Sequence, residues 1–549
     1  MKKRQLTLPR ILCLTILATA LAGCSDSNDE RVFENTENAL VVNTTSVLRP
    51  INRKLSGLHA RASAESIAND FGDLAVQTHR HVISLANFLH YDCESKAVDQ
   101  DSLDYFNSWL DAVDAGGADA ILSLSYVPEC AARDGQTKGP PVDEVIYREF
   151  LNELLSNLVT ERAALGKKPL EYLELWNEPD VPINAGALSS GHGFVGTLDE
   201  FVATMLPHLS AAVIQAESDS GVDIQIGAPA SYAPWPTSRY VANMFEFMSI
   251  INGYDDEAAE LFASLTDVSF PEPHTPPASE RIIHYGGIEW PRRIIDEAAN
   301  FGLDVEFVSV HLYPNSPLLG AVPLGDPEPQ LTMGRNPFAS PNQYEELAQM
   351  WSGEFPTKEL MLSEWALSAG NEFRRDNCEG AAFNAASLSV MQASSIDRAL
   401  YLLRPFRPAD AAMRTWPQLP KQQVMATLPT DIQNIWVTAA SDESRTTVLL
   451  SQWHTRLEDA TDITFPTRIT GLVDGAYQVD IEWIGAGNEI TPGFKTMLVQ
   501  SRRGVLALPE DVRMPGQSVV RLDIRASGVA PLTVLTESAV VGLAGPCIL

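Results

Sequence analysis

The stretch Tyr172-Leu-Glu-Leu-Trp-Asn-Glu-Pro179 joins an apolar run to a polar end. Residues 172–175 have the character of a strand in the interior of a parallel sheet. An amide and a carboxyl group follow the run, and a proline then prevents the strand from continuing. Burial disfavours the charged form of a carboxyl group, which suits a glutamate to exchange a proton near neutral pH. The stretch therefore predicts a buried strand that ends in a chemically active residue, Glu178.

A second glutamate has a similar setting further along the chain. The apolar run Leu360-Met-Leu-Ser363 ends at Glu364, and Trp365 follows. Two carboxyl groups at the ends of two strands, each near a tryptophan, are what cleavage of a glycosidic bond requires. A single glutamate after a strand is more often a solvated loop residue or a helix cap. The presence of both motifs in this order favours the catalytic interpretation.

The middle of the chain predicts a barrel. Strand-like runs alternate with helix-like stretches, which is typical of a parallel α/β fold. Three helical stripes of apolar residues lie between these runs. The first follows a proposed cap at Ser102, the second ends at Gly166, and the third opens with a capping box formed by Thr197 and Glu200. Eight such units predict a (β/α)8 TIM barrel over residues 55–412. Its strands are predicted at 55–58, 81–85, 120–124, 172–175, 224–227, 305–310, 360–363 and 399–403.

The rest of the folded chain has a different pattern. After about residue 415, short alternating strands are separated by turns such as Asp474-Gly475. This pattern predicts a C-terminal antiparallel β-sandwich over residues 413–549. Residues 39–54 are expected to add an N-terminal strand to this domain. The largest barrel loop, between strands five and six, contains Pro271 to Pro277, His284, Tyr285 and Trp290. It is interpreted either as a wall of a sugar cleft or as an ordinary surface insertion.

The N-terminal segment has the features of a targeting signal. A basic start, Lys2-Lys-Arg4, precedes an apolar stretch, Ile11 to Leu21, that is too short to span a membrane as a mature helix. Leu21-Ala-Gly-Cys24 resembles a bacterial lipoprotein signal of residues 1–23, with Cys24 as the lipidated residue; an ordinary secretory signal is the alternative. Ser25 after the cysteine favours the outer membrane, facing the periplasm or the surface. Residues 24–38 are expected to form a polar tether.

The acidic composition limits the partners of this chain. Its formal net charge is −32 and its pI is about 4.6. Nucleic-acid binding needs clustered Lys and Arg, so no nucleic-acid partner is expected. The acidity also argues, less strongly, against a highly sulfated or uronate-rich substrate. A solvated acidic surface is the simpler explanation, and nothing in the sequence predicts the oligomeric state.

The cysteines predict disulfides rather than a metal site. With Cys13 and Cys24 assigned to the signal and the lipid, four cysteines remain for an oxidising compartment, and they allow three connectivities. Cys93 and Cys130 follow consecutive strands, so their pairing is favoured, which leaves Cys378 for Cys547. The sequence has no Cys-x-x-Cys or His-x-x-x-His spacing, and we predict neither a metal nor a cofactor.

The order of the two glutamates resembles the retaining clan A of glycoside hydrolases, and most closely glycoside hydrolase family 39. That family includes β-xylosidases and α-L-iduronidases and pairs such a barrel with a β-sandwich. The resemblance spans roughly residues 40–530; families 30, 51 and 79 share part of it, and an Arg-x-His pattern after strand two is not clearly matched. The motifs that carry it are Leu175-Trp-Asn-Glu-Pro-Asp180, Val308-Ser-Val-His-Leu-Tyr-Pro314 and Ser363-Glu-Trp365.

The resemblance implies roles for individual residues. Glu178 corresponds to the general acid/base and Glu364 to the nucleophile. Asn177 is expected to donate to the sugar 2-OH, and Tyr313 to orient Glu364.

Four further residues are candidates with open alternatives. His311 contacts a carboxylate or the sugar, or is a structural histidine. Arg80 contacts the nucleophile or a substrate oxygen, or forms a structural ion pair. Trp176 and Trp365 stack on sugar faces, or belong to the core.

These residues predict a retaining glycosidase that acts on oligo- or polysaccharides by two displacements. One alternative is a catalytically weak glycan-binding lipoprotein. Another is a lipoprotein of a secretion system that processes the cell's own exopolysaccharide. The presence of both glutamates argues against a pure binding protein, because binding does not need two opposed carboxylates.

Overall fold

The computed structural model describes residues 38–59, 74–83, 89–180, 193–232, 287–314, 339–368, 375, 377–403, 408–455, 459–485 and 493–527. The predicted signal lies outside these residues, and so do the predicted tether except for Asn38, its Cys24, and most of the loop between strands five and six. In the described part of the chain, no helix is both long and apolar enough to cross a membrane.

Eight parallel strands close into a barrel, in which strand eight pairs with strand one. The predicted TIM barrel is therefore confirmed, and each predicted strand overlaps an observed one. Buried aliphatic side chains alternate along these strands between the barrel interior and the surrounding helices. In chain order the strands are Gly57–His59, Thr78–Ile83, Asp119–Leu124, Tyr172–Glu174, Gln225–Gly227, Phe307–Leu312, Glu359–Trp365 and Arg398–Leu402.

The helices surround this barrel. A helical stretch begins at Glu144, passes through a π-helical segment, Ser156–Glu161, and ends at Ala164. A two-stranded hairpin joins Tyr91–Asp92 to Ala97–Val98, and short 3₁₀ turns lie at Arg53–Leu55, Arg133–Gly135 and Trp416–Gln418. The other described α-helices are Gln100–Ala115, Leu198–Thr204, Leu206–Ser220, Glu289–Asn300, Gln343–Glu354, Cys378–Ala393 and Ala411–Thr415.

Two expectations about these helices need correction, and one is confirmed. The cap at Ser102 is wrong, because the Asp99 side chain accepts the Ser102 N–H and starts the helix three residues earlier. The capping box of Thr197 and Glu200 is present. Trp290 does not line a cleft: it is buried in its helix and packs against Phe201, with ring centroids 5.7 Å apart.

The second domain is a β-sandwich built mainly from one mostly antiparallel, nine-stranded sheet. Leu40 and Leu506, near one edge of the sheet, share an apolar core with Val479 and Val499 at the other edge. The sheet must therefore fold over its own apolar face, as predicted for a sandwich. Its strands, in spatial order, are Gly493–Ser501, Gly475–Gly485, Ser518–Ala526, Arg445–Gln452, Ile435–Ser441, Gln422–Thr427, Leu40–Pro50, Thr467–Thr470 and Val505–Ala507; a short pair, Ile463–Phe465 and Val512–Met514, lies beside them.

The helix Cys378–Ala393 joins the two domains. It is buried along nearly its whole length, which its many alanine residues permit. Its Phe383 ring meets Trp453 of the sandwich edge-on at 5.3 Å. The Ser451 hydroxyl donates to the Ala382 carbonyl at 2.5 Å. Because apolar and polar contacts cross this boundary together, the sandwich supports the barrel helix that lies between strands seven and eight.

The favoured disulfide is confirmed. Cys93 and Cys130 are bonded, with Cα atoms 5.9 Å apart, in the loops that follow barrel strands two and three. Cys378 is also disulfide-bonded, and its predicted partner, Cys547, lies outside the described residues.

The barrel interior is layered. An apolar layer of Ile121, Phe307, Met361 and Leu400 separates the two ends. Gly227 is required at this level, because a Cβ there would lie 2.0 Å from the Phe307 ring. The apolar layer isolates the polar groups at the carboxyl ends of the strands from those at the amino ends.

Arg398 organises the amino end of the barrel. Its side chain is 1% exposed and donates to Glu359 at 2.6 Å, to Asp119 at 2.5 Å and to the Tyr172 hydroxyl at 2.7 Å. It also lies over the Tyr172 ring, 4.5 Å from the centroid. One guanidinium group therefore links barrel strands three, four, seven and eight.

Replacing Arg398 with Met should lower the free energy of unfolding. Breaking a fully buried ion pair costs about 3–5 kcal/mol, and the partly exposed carboxylates here reduce our expectation to about 2–3 kcal/mol. Urea denaturation measures the change. The control is Arg293→Met, since Arg293 is 49% exposed in its ion pair with Glu297 and should contribute less than about 1 kcal/mol. Equal losses in the two variants would contradict the structural role of Arg398.

Candidate active site

Polar side chains from five barrel strands meet at the carboxyl end of the barrel. All strands of a parallel barrel point the same way, so residues that follow strand ends share one face. These residues are buried despite their polarity, and they must therefore satisfy one another. They are His59, Arg80, Glu174, Asn177, Glu178, His311, Tyr313 and Glu364.

A β-bulge turns Glu364 into the barrel. Met361 points inward and Leu362 points outward, so regular alternation would place Ser363 inside and Glu364 outside. The register with strand six shifts between Leu362 and Glu364, and Glu364 pairs with His311. The extra residue, Ser363, reverses the alternation from that point on and aims Glu364 at the interior.

Glu178 is held in an uncommon backbone conformation. Its φ angle is 51°, in the left-handed region that few residues other than glycine adopt. The Glu178 N–H donates to the Ala230 carbonyl at 2.8 Å, and the Asn177 N–H donates to the Ser125 hydroxyl at 2.7 Å. Neighbouring strand ends thus fix a strained turn, a feature that clusters at functional sites.

The two predicted glutamates face each other. An oxygen of Glu178, an oxygen of Glu364 and a ring nitrogen of His311 lie within 4.8 Å of one another. His311 Nδ1 is 2.6 Å from Glu178 Oε1, and its Nε2 is 3.7 Å from Glu364 Oε1. The imidazole therefore lies against both carboxyl groups.

Hydrogen bonds hold both oxygens of Glu364. Arg80 Nη1 donates to Oε1 at 2.8 Å, and the Tyr313 hydroxyl donates to Oε2 at 2.5 Å. Burial, and then the charges of Glu364 and Glu178, raise the pKa of Tyr313 well above its usual value, so its hydroxyl remains a donor. The carboxylate plane of Glu364 is consequently fixed.

Arg80 also orients Asn177. Its Nη2 lies 2.7 Å from Asn177 Oδ1. A guanidinium group has only donors, so the amide atom that it meets must be the oxygen. The amide nitrogen of Asn177 is therefore directed away from Arg80.

Charge keeps Glu364 ionised. Burial would raise its pKa, but His311, His59 and Arg80 together hold the pKa well below its usual range. Burial lowers the pKa of His59 well below its usual value, so this ring adds its charge only in acid, whereas Arg80 supplies a permanent charge near pH 7. Burial also opposes the charged form of His311, but Glu364 and Glu178 outweigh it and raise the His311 pKa.

Among the described residues, the group that offers ligand atoms for a metal ion is Glu178, His311 and Glu364. The Arg80 cation already lies 2.8 Å from Glu364 Oε1, and a metal ion there would be repelled by it. These three side chains are therefore better explained as two carboxyl groups beside a histidine than as the ligands of a metal ion.

The two tryptophans of the motifs belong to the core. Trp176 and Trp365 are fully buried. The Trp176 ring meets Phe194 edge-on at 5.4 Å, and the Trp365 ring meets Tyr401 at 4.9 Å. Of the two interpretations, core packing describes their positions, because both side chains point outward from the barrel.

Two further residues of this site, Glu174 and His59, were not predicted from the sequence. Glu174 is fully buried in strand four, where both Nε and Nη2 of Arg80 donate to its Oε2 and the Ser309 hydroxyl donates to its Oε1 at 2.5 Å. His59 ends strand one, with Nε2 3.6 Å from Glu364 Oε1. A charged residue inside an apolar strand is the sequence signal that could have identified Glu174, since a buried charge needs a partner.

No protein-family model and no curated protein sequence matches this chain. Solved structures do match it. A GH39 enzyme from Xanthomonas axonopodis pv. citri has a TM-score of 0.61 at 13% identity, over 91% of this chain and 99% of that one. A monomeric β-xylosidase from Caulobacter crescentus CB15 has a TM-score of 0.59 at 14% identity, over 89% and 100%. A glucosidase from Croceicoccus marinus has a TM-score of 0.58 at 14% identity, over 90% and 99%.

These likenesses establish a shared fold that includes both domains. The resemblance to glycoside hydrolase family 39, first indicated by the motifs, is thereby confirmed at the level of the fold.

Replacing Tyr313 with Phe should raise the pKa of Glu364, because the carboxylate loses a hydrogen bond that favours its charged form. Carbon-13 NMR titration of labelled glutamate side chains, with Glu364 assigned through Glu364→Gln, measures the shift. Tyr344→Phe is the matched control, since the described hydrogen-bond partners of the buried Tyr344 hydroxyl are the carbonyls of Leu312 and Ala366 and the Ser387 side chain, and neither glutamate is among them. An unchanged Glu364 midpoint in Tyr313→Phe would refute the assigned contact.

Proposed function

We propose that this protein is a retaining glycoside hydrolase in which Glu364 is the nucleophile and Glu178 the general acid/base. The observation that carries the proposal is the approach of their carboxyl oxygens, within 4.8 Å, at the carboxyl end of the barrel. Carboxyl groups of retaining enzymes lie about 5–5.5 Å apart, whereas inverting enzymes separate them by about 6.5–9.5 Å to admit water. The fold shared with solved glycosidases supports the same conclusion.

In the first step, a Glu364 oxygen attacks the anomeric carbon of the bound sugar. The glycosidic C–O bond breaks as Glu178 gives its proton to the leaving oxygen, and a covalent glycosyl-enzyme forms. Arg80 and Tyr313 hold the attacking carboxylate in one orientation, so little rotational freedom is lost at the moment of reaction.

In the second step, Glu178 acts as a base. It takes a proton from water, the water oxygen attacks the anomeric carbon, and the bond to Glu364 breaks. His311 Nδ1 stays within hydrogen-bond distance of Glu178 and keeps its carboxyl group in place. Two inversions at one carbon leave the product with the configuration of the substrate.

Asn177 fits the role of a sugar ligand. Because Arg80 holds its carbonyl oxygen, the amide nitrogen is the group that it can offer to a substrate. A hydrogen bond to the sugar 2-OH strengthens in the oxocarbenium-like transition state.

Catalysis fits the site better than glycan binding alone. Burying two carboxyl groups side by side costs free energy unless each is held by partners. Glycan binding alone does not require two such groups, whereas the proposed reaction does. A role in processing the cell's own exopolysaccharide would use the same chemistry and differ only in substrate. Lipid anchoring through Cys24 at the outer membrane remains a proposal from the sequence.

Variants of the two glutamates should fail in different ways. Glu364→Ala should be inactive on every glycoside, because no nucleophile remains. Glu178→Gln should lose about 10²–10⁴-fold in kcat on poor leaving groups, the usual contribution of a general acid. Added azide should partly restore its activity on activated aryl glycosides, since azide needs no general base.

Initial rates on a panel of aryl glycosides and polysaccharides measure these effects, with reducing ends as the readout for the polymers. The exposed Glu345→Gln variant is the control and should match the wild type. Near-normal turnover by Glu364→Ala or Glu178→Gln would remove the proposed roles, and binding without any product would favour the glycan-binding alternative.

The stereochemistry of the first turnover tests the mechanism directly. Proton NMR of the anomeric signal, recorded before mutarotation, should show a product with the same anomeric configuration as the substrate. First appearance of the opposite anomer would indicate an inverting enzyme and would exclude Glu364 as a nucleophile.

A further inference from the structure

Glu174 is a buried carboxylate that the proposed mechanism leaves without a task. Its side chain is fully buried, and its hydrogen-bond partners are Arg80 and Ser309. Neither proposed catalytic glutamate is among these partners. Burying a carboxylate is costly, so its position calls for an explanation beyond packing.

The contacts of Arg80 supply this explanation. Its Nε and Nη2 atoms both donate to Glu174 Oε2, at one edge of the guanidinium group. Its remaining donors reach Asn177 Oδ1 at 2.7 Å and Glu364 Oε1 at 2.8 Å. Because the guanidinium group is planar and rigid, fixing one edge fixes the directions of the other N–H bonds. Glu174 therefore sets where Arg80 meets both Asn177 and Glu364.

Glu174 also balances charge. Arg80 is fully buried and pairs with two carboxylates. If Glu174 were neutral, the whole positive charge of Arg80 would act on Glu364 in a medium that screens poorly. A carboxylate stabilised so strongly is a weaker nucleophile, since the attack on carbon consumes its charge.

We propose that Glu174 is a positioning residue for glycosyl transfer, which holds and neutralises Arg80 so that Glu364 is oriented and remains nucleophilic. This inference rests on the proposed glycosidase function. Glu174 acts through Arg80, and the Ser309 hydroxyl fixes its second oxygen.

A double-mutant cycle tests the proposal with the full-length protein and an activated aryl glycoside that the wild type cleaves. Glu174→Gln keeps the shape of the side chain and removes its charge. Its kcat should fall about 10²-fold, the scale of losing one oriented electrostatic contact. Its KM should stay within about threefold, because Glu174 touches no substrate.

The Arg80→Met background gives the decisive comparison. If Glu174 acts through Arg80, adding Glu174→Gln to Arg80→Met should change kcat by less than about threefold. A purely structural role would lower the free energy of unfolding but leave the kcat of the folded fraction unchanged. Full kcat in Glu174→Gln, or the same loss in both backgrounds, would overturn the proposal.

A second variant covers a failure to fold. Glu174→Asp keeps the charge and withdraws the carboxylate, so its kcat should fall less than that of Glu174→Gln, and the loss should again vanish in Arg80→Met. Wild-type kcat in Glu174→Asp would overturn the role of the position. An inactive wild-type protein would defeat the glycosidase proposal itself, whereas an active wild type with equal losses in both backgrounds defeats only the role of Glu174.

Discussion

The buried guanidinium group of Arg80 is the constraint on which the carboxyl end of the barrel depends. It is fully buried, so protein groups must replace all the hydration of its charge. The partners come from strands one, four and seven: His59, Glu174 with Asn177, and Glu364. Each partner is held in place by the others, and the result is a fixed platform beneath the space between the two glutamates.

The barrel has a second buried arginine, Arg398, at its opposite end. Comparing the partners of the two arginines shows what is specific to Arg80. Arg398 also links several strands through carboxylates, but its partners Glu359 and Asp119 are partly exposed. The partners of Arg80 are almost completely buried. The same side-chain chemistry thus links partly exposed carboxylates at one end of the barrel and, where water is excluded, orients Glu364 and Asn177 at the other.

Much of this architecture was predictable from the sequence because it depends on periodicity. The eight barrel strands followed from apolar runs between helical stripes, and the Cys93–Cys130 pairing followed from their positions in consecutive loops. The N-cap of the helix Gln100–Ala115 was misplaced, because Asp99 and Ser102 can both begin a helix and only the backbone decides between them. The structure brought Glu178, Glu364, Asn177, Tyr313, His311 and Arg80 together at one face.

Side-chain direction was the part that the sequence could not provide. Trp176 and Trp365 neighbour Asn177 and Glu364 in the sequence but point into the surrounding core. Glu174 and His59 were missed because each stands alone in a short strand, where only the closed barrel shows what it faces. The pairings that define the site join strands far apart in the chain.

Ser363, the residue of strand seven that is skipped in the pairing with strand six, reverses the inward–outward alternation of the residues after it. With Ser363 present, an odd step separates Met361 from Glu364, and both still point inward. The inward direction of Glu364 therefore depends on its spacing from Met361 and on the bulge, and not on the chemical character of the intervening residue. A scaffold borrowed from this barrel for a new reaction would have to keep the bulge together with the extra residue, since regular pairing of the same sequence would turn Ser363 inward and place Glu364 against the surrounding helices.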